Sequence, residues 1–231
     1  MLTYEDVAVV LITRNEERAI RKVLLDAKAV LPGAKLYVVD DSTDSTPTIA
    51  LEEGAHVSRG PGQGFGPAMH QALLTPTEDI VLTVDADDTY PPEAFPKLVT
   101  MIRQGVDVAG TNRLGRRRPS SMPRSNYLVN RLLSLIASAR ARQRVRDVHS
   151  GQRAYRREVL HSIQWDYGFE AFPVDLILMP AILGYSVEEF EIPYRERIGE
   201  TTLHRWSSGK ASMKRLLRRK RDIVARQLLI R

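Results

Sequence analysis

The chain of 231 residues contains no cysteine, which excludes disulfides and thiolate metal sites and suits a reducing compartment. Aromatic residues make up only 6%, and no RNA- or DNA-binding motif is present, so no nucleic-acid partner is expected despite a net charge of +6. No apolar run approaches the ~20 residues that a membrane-spanning helix requires. The opening residues, MLTYEDVAVVLITRNEE, place acidic side chains where a secretory leader carries basic ones. No linker rich in Pro, Gly or Ser divides the chain, and no internal repeat is visible. The length suits one sizeable α/β unit. His56, His70, His149, His161 and His204 lack metal-ligand spacing and read as surface or packing residues.

What is present is lopsided. Residues 1–110 hold 9 Lys/Arg against 17 Asp/Glu, and residues 111–231 hold 25 against 11. Such an imbalance suggests an anionic partner for the second half, and with nucleic acid set aside for want of a motif, a phosphate ligand or a membrane face remains.

The first half alternates strand and helix patterns. Val7 to Thr13 is apolar on both faces, as a central parallel strand is. Arg14-Asn15-Glu16-Glu17 then opens a helix predicted to run to about Val30. Leu36 to Val39 is a second strand, followed by a turn from Asp40 to Thr46 and a helix near 47–53. Parallel crossovers follow from that order. The segment Gly60-Pro61-Gly62-Gln63-Gly64-Phe65-Gly66 precedes a helix through Leu74. Its glycines permit close backbone approach to an anion, yet the spacing matches neither a Rossmann nor a Walker loop.

The strand from Ile80 to Val84 ends in Asp85-Ala86-Asp87-Asp88. Three carboxylates within four residues repel one another unless solvated or bound to a cation. A hard ion such as Mg²⁺ or Mn²⁺ commonly takes one or two carboxylates plus substrate phosphates. Further on, the pattern predicts a helix at 93–103, a strand at 106–109, an amphipathic helix around Leu128 to Ile136 and a short strand and helix after Ser150. An apolar helix at 172–183 carries Asp175, a strand follows at 187–192, and a basic helix runs from about Lys210.

Taken in order, these pieces resemble family-2 glycosyltransferases of the GT-A fold, and among them the dolichol-phosphate mannose synthase branch. VVLITRNEE resembles that family's opening strand and Asn-Glu motif. VVDDSTDST, GPGQGFGPAMHQAL, DADDTYPPE, HSGQRAYRREVL and EIPYRERIGETTL resemble five further motifs in the same sequence. The likeness spans about residues 7–210. Two features depart from it: Thr201-Thr202 stands where Ser-Lys is usual, and the added membrane helices common in that branch are missing.

The resemblance implies a mixed, mostly parallel α/β sheet flanked by helices, and single displacement with inversion from a nucleotide sugar, either GDP-mannose or UDP-glucose. It implies Asp85 and Asp87 as ligands of Mg²⁺ or Mn²⁺. Thr13, Asn15, Glu16, Asp40, Gly64, Asp85, Ala86 and Asp87 would form the donor site. Arg113, Arg124 and Arg197 match phosphate-binding arginines, and Asp87, Arg113 and Arg197 are the expected catalytic residues. Asp175 lies where relatives carry a carboxylate near the acceptor, and a structural role fits it equally. The expected acceptor is a polyprenyl phosphate, with a small hydroxyl compound as the alternative. Residues 1–209 would form the transferase unit. Residues 205–231 carry ten Lys/Arg opposed only by Asp222, so a helix over 210–231 either packs on that unit or lies on the membrane. A peripheral position at the cytoplasmic membrane face is the expected location.

Overall fold

In a computed structural model the described residues are 3–115, 117–168, 171–198 and 205–218, with no side chains described for 205–208. The chain runs through β1 (Val7–Thr13), α1 (Ile20–Val30), β2 (Lys35–Asp40), α2 (Thr46–Glu52), β3 (His56–Arg59), α3 (Phe65–Leu74) and β4 (Ile80–Thr83). A 3₁₀ turn (Pro92–Ala94) leads into α4 (Phe95–Arg103), then β5 (Val108–Asn112), α5 (Arg124–Ala141), β6 (Arg153–Arg156) and α6 (Arg157–Ser162). The remaining elements are α7 (Phe172–Leu183), β7 (Val187–Glu191) and α8 (Arg205–Leu217).

One sheet orders these strands β3-β2-β1-β4-β6-β5-β7. All neighbours pair in parallel except β6, which runs antiparallel between β4 and β5. The two faces of the sheet carry separate cores, because side chains alternate along each strand. From β1, Val7, Val9 and Leu11 meet Ile20, Leu24, Phe95 and Leu98 on one side. Ala8 and Val10 meet Ala72, Leu73, Phe172 and Ile177 on the other. This is the mixed, mostly parallel α/β architecture that the sequence implies.

Several boundaries move. Helix α1 starts at Ile20, not at Arg14, because residues 14–19 are used to join two loops. Asn15 takes a left-handed φ of 59°, a conformation that Asn tolerates better than most residues. Strand β5 begins at Val108, after the turn at Gly105, and extends to Asn112 beside Glu191 of β7. Strand β3 was not foreseen; its four residues, HVSR, are too short and polar to read as a strand. Helix α8 begins five residues before Lys210.

Helix α8 packs along α5 and is tied to α7 through Arg215 and Asp175, with Ser212, Arg215 and Leu216 buried. Arg215 Nε donates to Asp175 Oδ1 at 2.7 Å, so Asp175 serves here as an anchor for α8. Residues 219–231, the rest of the expected basic helix, lie outside the described residues. Burial pushes the Asp175 carboxyl from an ordinary 3.8 up to about 6, with Arg215 pulling the other way. A raised folded pKa means that stability is full at low pH and falls as pH rises through about 6. Replacing Arg215 by methionine is expected to cost ~1–3 kcal/mol at neutral pH, since Asp175 can escape part of the penalty by binding a proton. Thermal unfolding should show that deficit shrinking below the pH at which Asp175 titrates.

Candidate active site

The carboxyl ends of β1, β2 and β4 meet where the chain turns to opposite sides of β1, the place where open α/β sheets collect ligands. The loops after β1 and β2 are laced together there. Thr13 Oγ1 and Ser42 Oγ donate to Asp40 Oδ1 at 2.7 and 2.6 Å, and the Ser42 amide donates to Oδ2 at 3.1 Å. Asp40 is buried, so its carboxylate holds the loop as well as bordering the crevice. The Asn15 amide donates to Ser42 Oγ at 2.8 Å, and Asn15 Oδ1 accepts from the Thr43 amide at 2.9 Å. The Glu16 amide donates to Thr46 Oγ1 at 2.9 Å. These bonds leave the Glu16 side chain directed across the crevice, where it pairs with Arg197.

The glycine-rich loop is organised by an aspartate. A Cβ on Gly60 would lie 2.7 Å from Asp41 Oδ1, and the Gly62 amide donates to both Asp41 oxygens at 3.0 and 3.1 Å. Gly64, at φ +91°, is the cap from which α3 starts.

In the acidic cluster Ala86 and Asp87 are buried and Asp85 is half-buried. Asp87 Oδ1 accepts from Thr89 Oγ1 at 2.6 Å and from its amide at 3.2 Å. Asp87 Oδ2 meets Arg197 Nη1 at 3.0 Å, and Arg197 Nη2 contacts Glu16. One guanidinium therefore bridges two carboxylates brought from sequence positions 16 and 87. The loop that carries it is stitched down, with the Ile198 amide donating to the Asp87 carbonyl and the Arg195 amide to the Thr89 carbonyl, both at 3.0 Å. Asp88, at a left-handed φ of 59°, turns instead to Lys22 at 2.8 Å and Arg195 at 3.8 Å.

Asp85 is hydrogen-bonded by no donor among the described residues. Burial first, and then the Asp87 charge, push its carboxyl from 3.8 up to about 7. Glu16 also rises to about 7, through burial, with Arg197 opposing. Asp85 is backed by Gly151, where a Cβ would lie 2.5 Å from Oδ1. The Gly151 amide in turn donates to Tyr90 Oη at 2.6 Å. Together these features suit a hard divalent ion. A raised pKa in a carboxylate without donors marks a site short of positive charge. No group of three or more His, Cys, Asp or Glu gathers as a closed cage among the described residues. The donor set is one or two carboxylates, which leaves coordination positions for phosphate oxygens.

Arg113 is anchored by a carboxylate from a distant loop. Nε donates to Asp147 Oδ2 at 2.7 Å, Nη2 to Oδ1 at 3.0 Å, and its amide also reaches Oδ2 at 3.1 Å. The guanidinium lies 5.1 Å from the Tyr194 ring centroid and 6.0 Å from that of Tyr90. One edge of the planar fork is thus already occupied, and Nη1 with the second N–H of Nη2 remains for a ligand. Its charge still acts on Asp85, lowering that pKa. Arg124 stands apart, exposed at the first residue of α5, with no ion pair among the described residues. Arg118 folds back onto the carbonyls of Pro119 and Met122, while Arg116 lies outside the described residues, as do Thr201 and Thr202.

Asp147, Gly151 and the paired tyrosines Tyr90 and Tyr194 were not singled out from the sequence. Gly151, Tyr90 and Tyr194 lie inside the motifs HSGQRAYRREVL, DADDTYPPE and EIPYRERIGETTL, whereas Asp147 lies outside all of them. His149 is a packing residue, bonded to Asn130 Oδ1 of α5 and Ser212 Oγ of α8, each at 2.9 Å. Burial pushes its imidazole down to about 4, so it is neutral near pH 7.

Known proteins agree with this architecture. A family model described as "Glycosyl transferase family 2" matches residues 8–164. The chain is similar to the dolichyl-phosphate hexose transferase of Haloferax volcanii, 41% identical over 94% of each chain. It is 28% identical to the undecaprenyl-phosphate mannosyltransferase of Micrococcus luteus, covering 86% of this chain and 88% of that relative. The crystal structure of glucosyl-3-phosphoglycerate synthase from Mycobacterium tuberculosis, in complex with Mn²⁺, UDP and glucosyl-3-phosphoglycerate, superimposes with a TM-score of 0.71. That match covers 91% of this chain and 78% of the other at 22% identity, and shares the fold.

Proposed function

The chain belongs to glycosyl transferase family 2, and on that premise we propose that it moves a hexose from a nucleotide sugar to a polyprenyl phosphate with the aid of Mg²⁺ or Mn²⁺. The observation that carries this reading is the bridging position of Arg197, a phosphate-seeking guanidinium held against Asp87 and Glu16. An arginine held there by charge-assisted contacts to two carboxylates can exchange them for phosphate oxygens.

Breaking the glycosidic bond places charge on the leaving diphosphate. A divalent ion at Asp85 and Asp87 would supply Lewis-acid stabilisation of that charge. Thr89 orients Asp87, Gly151 leaves room for Asp85, and Thr13, Asn15, Asp40, Gly64 and Ala86 shape the surrounding donor pocket. On the acceptor side a phosphate monoester, with a second pKa of ~6, is already a nucleophile near neutral pH and needs cations more than a base. Arg197 and the remaining edge of Arg113 supply them beside the carboxylates, and Arg124 extends the positive surface outward. The likeness to two polyprenyl-phosphate glycosyltransferases supports this acceptor class. No helix among the described residues is long and apolar enough to cross a membrane, and the reading puts the protein on the cytoplasmic membrane face as a peripheral enzyme.

A second reading has one observation in its favour. Glu16 beside the site, with its pKa near 7, has the proton affinity of a general base for a hydroxyl acceptor. Its ion pair with Arg197 argues for a positioning role instead. A donor screen separates the readings: GDP-mannose and UDP-glucose are each offered with a short prenyl phosphate, with and without EDTA. One donor should give a metal-dependent glycosyl prenyl phosphate. No transfer to the prenyl phosphate, with turnover on 3-phosphoglycerate instead, would favour the hydroxyl acceptor.

A further inference from the structure

The outer face of α5 has the reverse of an ordinary surface helix. Its inner side is apolar as expected, with Leu133, Ala137 and Ala141 buried. Its solvent side is apolar too, with Leu128 65%, Val129 46%, Leu132 51% and Leu135 68% exposed. Spacings of three, four and seven place Leu128, Leu132 and Leu135 on one line. Single exposed leucines need no explanation, but a contiguous apolar stripe on a helix marks a contact surface.

The charge around the stripe says what it contacts. No Asp or Glu occurs between residues 108 and 146, while ten arginines do. Arg124 and Arg131 are exposed on α5 itself. Helix α8 packs alongside, and its exposed Lys210, Lys214 and Leu217 continue the same composition, basic with an apolar centre. A second copy of the chain would bring an identical positive rim to an isologous contact, and like charge opposes that pairing. The tail at 219–231 is basic as well, with five Lys/Arg against Asp222. An anionic lipid surface satisfies both features at once, accepting the leucines between acyl chains and the arginines among headgroups.

We propose that the outer face of α5, centred on Leu128, Leu132 and Leu135 and flanked by Arg124 and Arg131, is the surface by which this protein docks on an anionic bilayer, with the exposed Lys210 and Lys214 of the neighbouring α8 adding positive charge. The inference takes its purpose from the lipid-acceptor reading, but its evidence is the surface alone. Docking by this face would bring Arg124, at the amino end of α5, to headgroup level, and a prenyl phosphate would then reach the crevice without leaving the membrane.

The test uses the full chain and a Leu128→Gln/Leu132→Gln/Leu135→Gln variant, whose altered side chains are all exposed and make no core contact. Thermal unfolding should be unchanged. The wild type should co-sediment with phosphatidylglycerol–phosphatidylcholine vesicles, less so at high salt and hardly with pure phosphatidylcholine. The variant should lose at least ~10-fold in partitioning, the scale expected when a buried apolar face is removed. Both proteins should transfer equally to a short, water-soluble prenyl phosphate in buffer without vesicles. If that transfer fails in both while the wild type still binds vesicles, the acceptor reading falls and the docking surface stands. Equal vesicle binding by wild type and variant would overturn the docking surface. So would a wild-type dimer that the variant abolishes, or vesicle binding that is lost altogether when residues 219–231 are removed.

Discussion

Replacing Asp87 by alanine is expected to lower turnover at least ~10²-fold, the scale of losing one major electrostatic stabiliser. The expectation rests on how firmly this carboxylate is prepared. Thr89 holds one oxygen through two hydrogen bonds, and the other faces Arg197 at 3.0 Å. Nucleotide-sugar binding by the variant should become indifferent to Mn²⁺. At the same time Asp85 loses the like charge that helps to raise its pKa, so its carboxyl should titrate lower than about 7. Isothermal titration of donor with and without Mn²⁺, alongside turnover, reads both effects. Full activity of the wild type in EDTA, with metal removal verified, would end the assignment of Asp85 and Asp87 to an ion.

Asp147→Ala should be the most destabilising single change near the site. Asp147 is fully buried and gives both oxygens to Arg113, itself 8% exposed. Arginine cannot discharge by losing its proton, so the variant strands a buried cation. Breaking such a pair from one side costs ~3–5 kcal/mol, or roughly 10 °C in Tm for a chain of this size. Arg215→Met should cost less, because there the stranded partner is an acid that can neutralise itself. The Asp147 carboxyl is held below its ordinary 3.8, with burial opposing and Arg113 lowering it. A depressed folded pKa gives stability that is present above the ordinary value and is lost as pH falls through the folded one. The gap between wild type and variant should therefore close in acid. A variant with an unchanged Tm would show that the pair contributes nothing net.

The fold was legible where the pattern was long and one-sided. Val7 to Thr13 reads as a central strand because it is apolar on both faces, and it lies inside the sheet between β2 and β4. Helix α7 matches its predicted limits because a nearly uniform apolar stretch is bounded by Gly184, which takes the left-handed conformation at its end. The antiparallel insertion of β6 between β4 and β5 was not legible. Its four residues, RAYR, carry arginines whose burial depends on partners far along the chain. Arg153 is 1% exposed, with its guanidinium donating to the carbonyls of Pro173 and Val148. A local pattern reads such a residue as surface.

The same limit applies to the site. Asp85 and Asp87 stood out because like charges at a strand end call for a counter-ion. Arg113 and Arg197 were visible as types but not as pairs. That Arg113 spends one edge on Asp147, and that Arg197 bridges Asp87 and Glu16, are contacts over 34 and up to 181 residues. No spacing rule encodes them. Nor does composition tell that the apolar residues of α5 fall on both its faces, since an amphipathic pattern and an all-round one differ by only a few positions.

The central claim, that the acceptor is a phosphate and not a hydroxyl, is met most directly by offering one short prenyl chain in two forms, as its phosphate and as its alcohol, with the donor that the screen selects. The account predicts transfer to the phosphate alone, at a rate that grows as the acceptor becomes a dianion above its second pKa of ~6. Glycosylated prenyl alcohol, with the phosphate left unchanged, would contradict it.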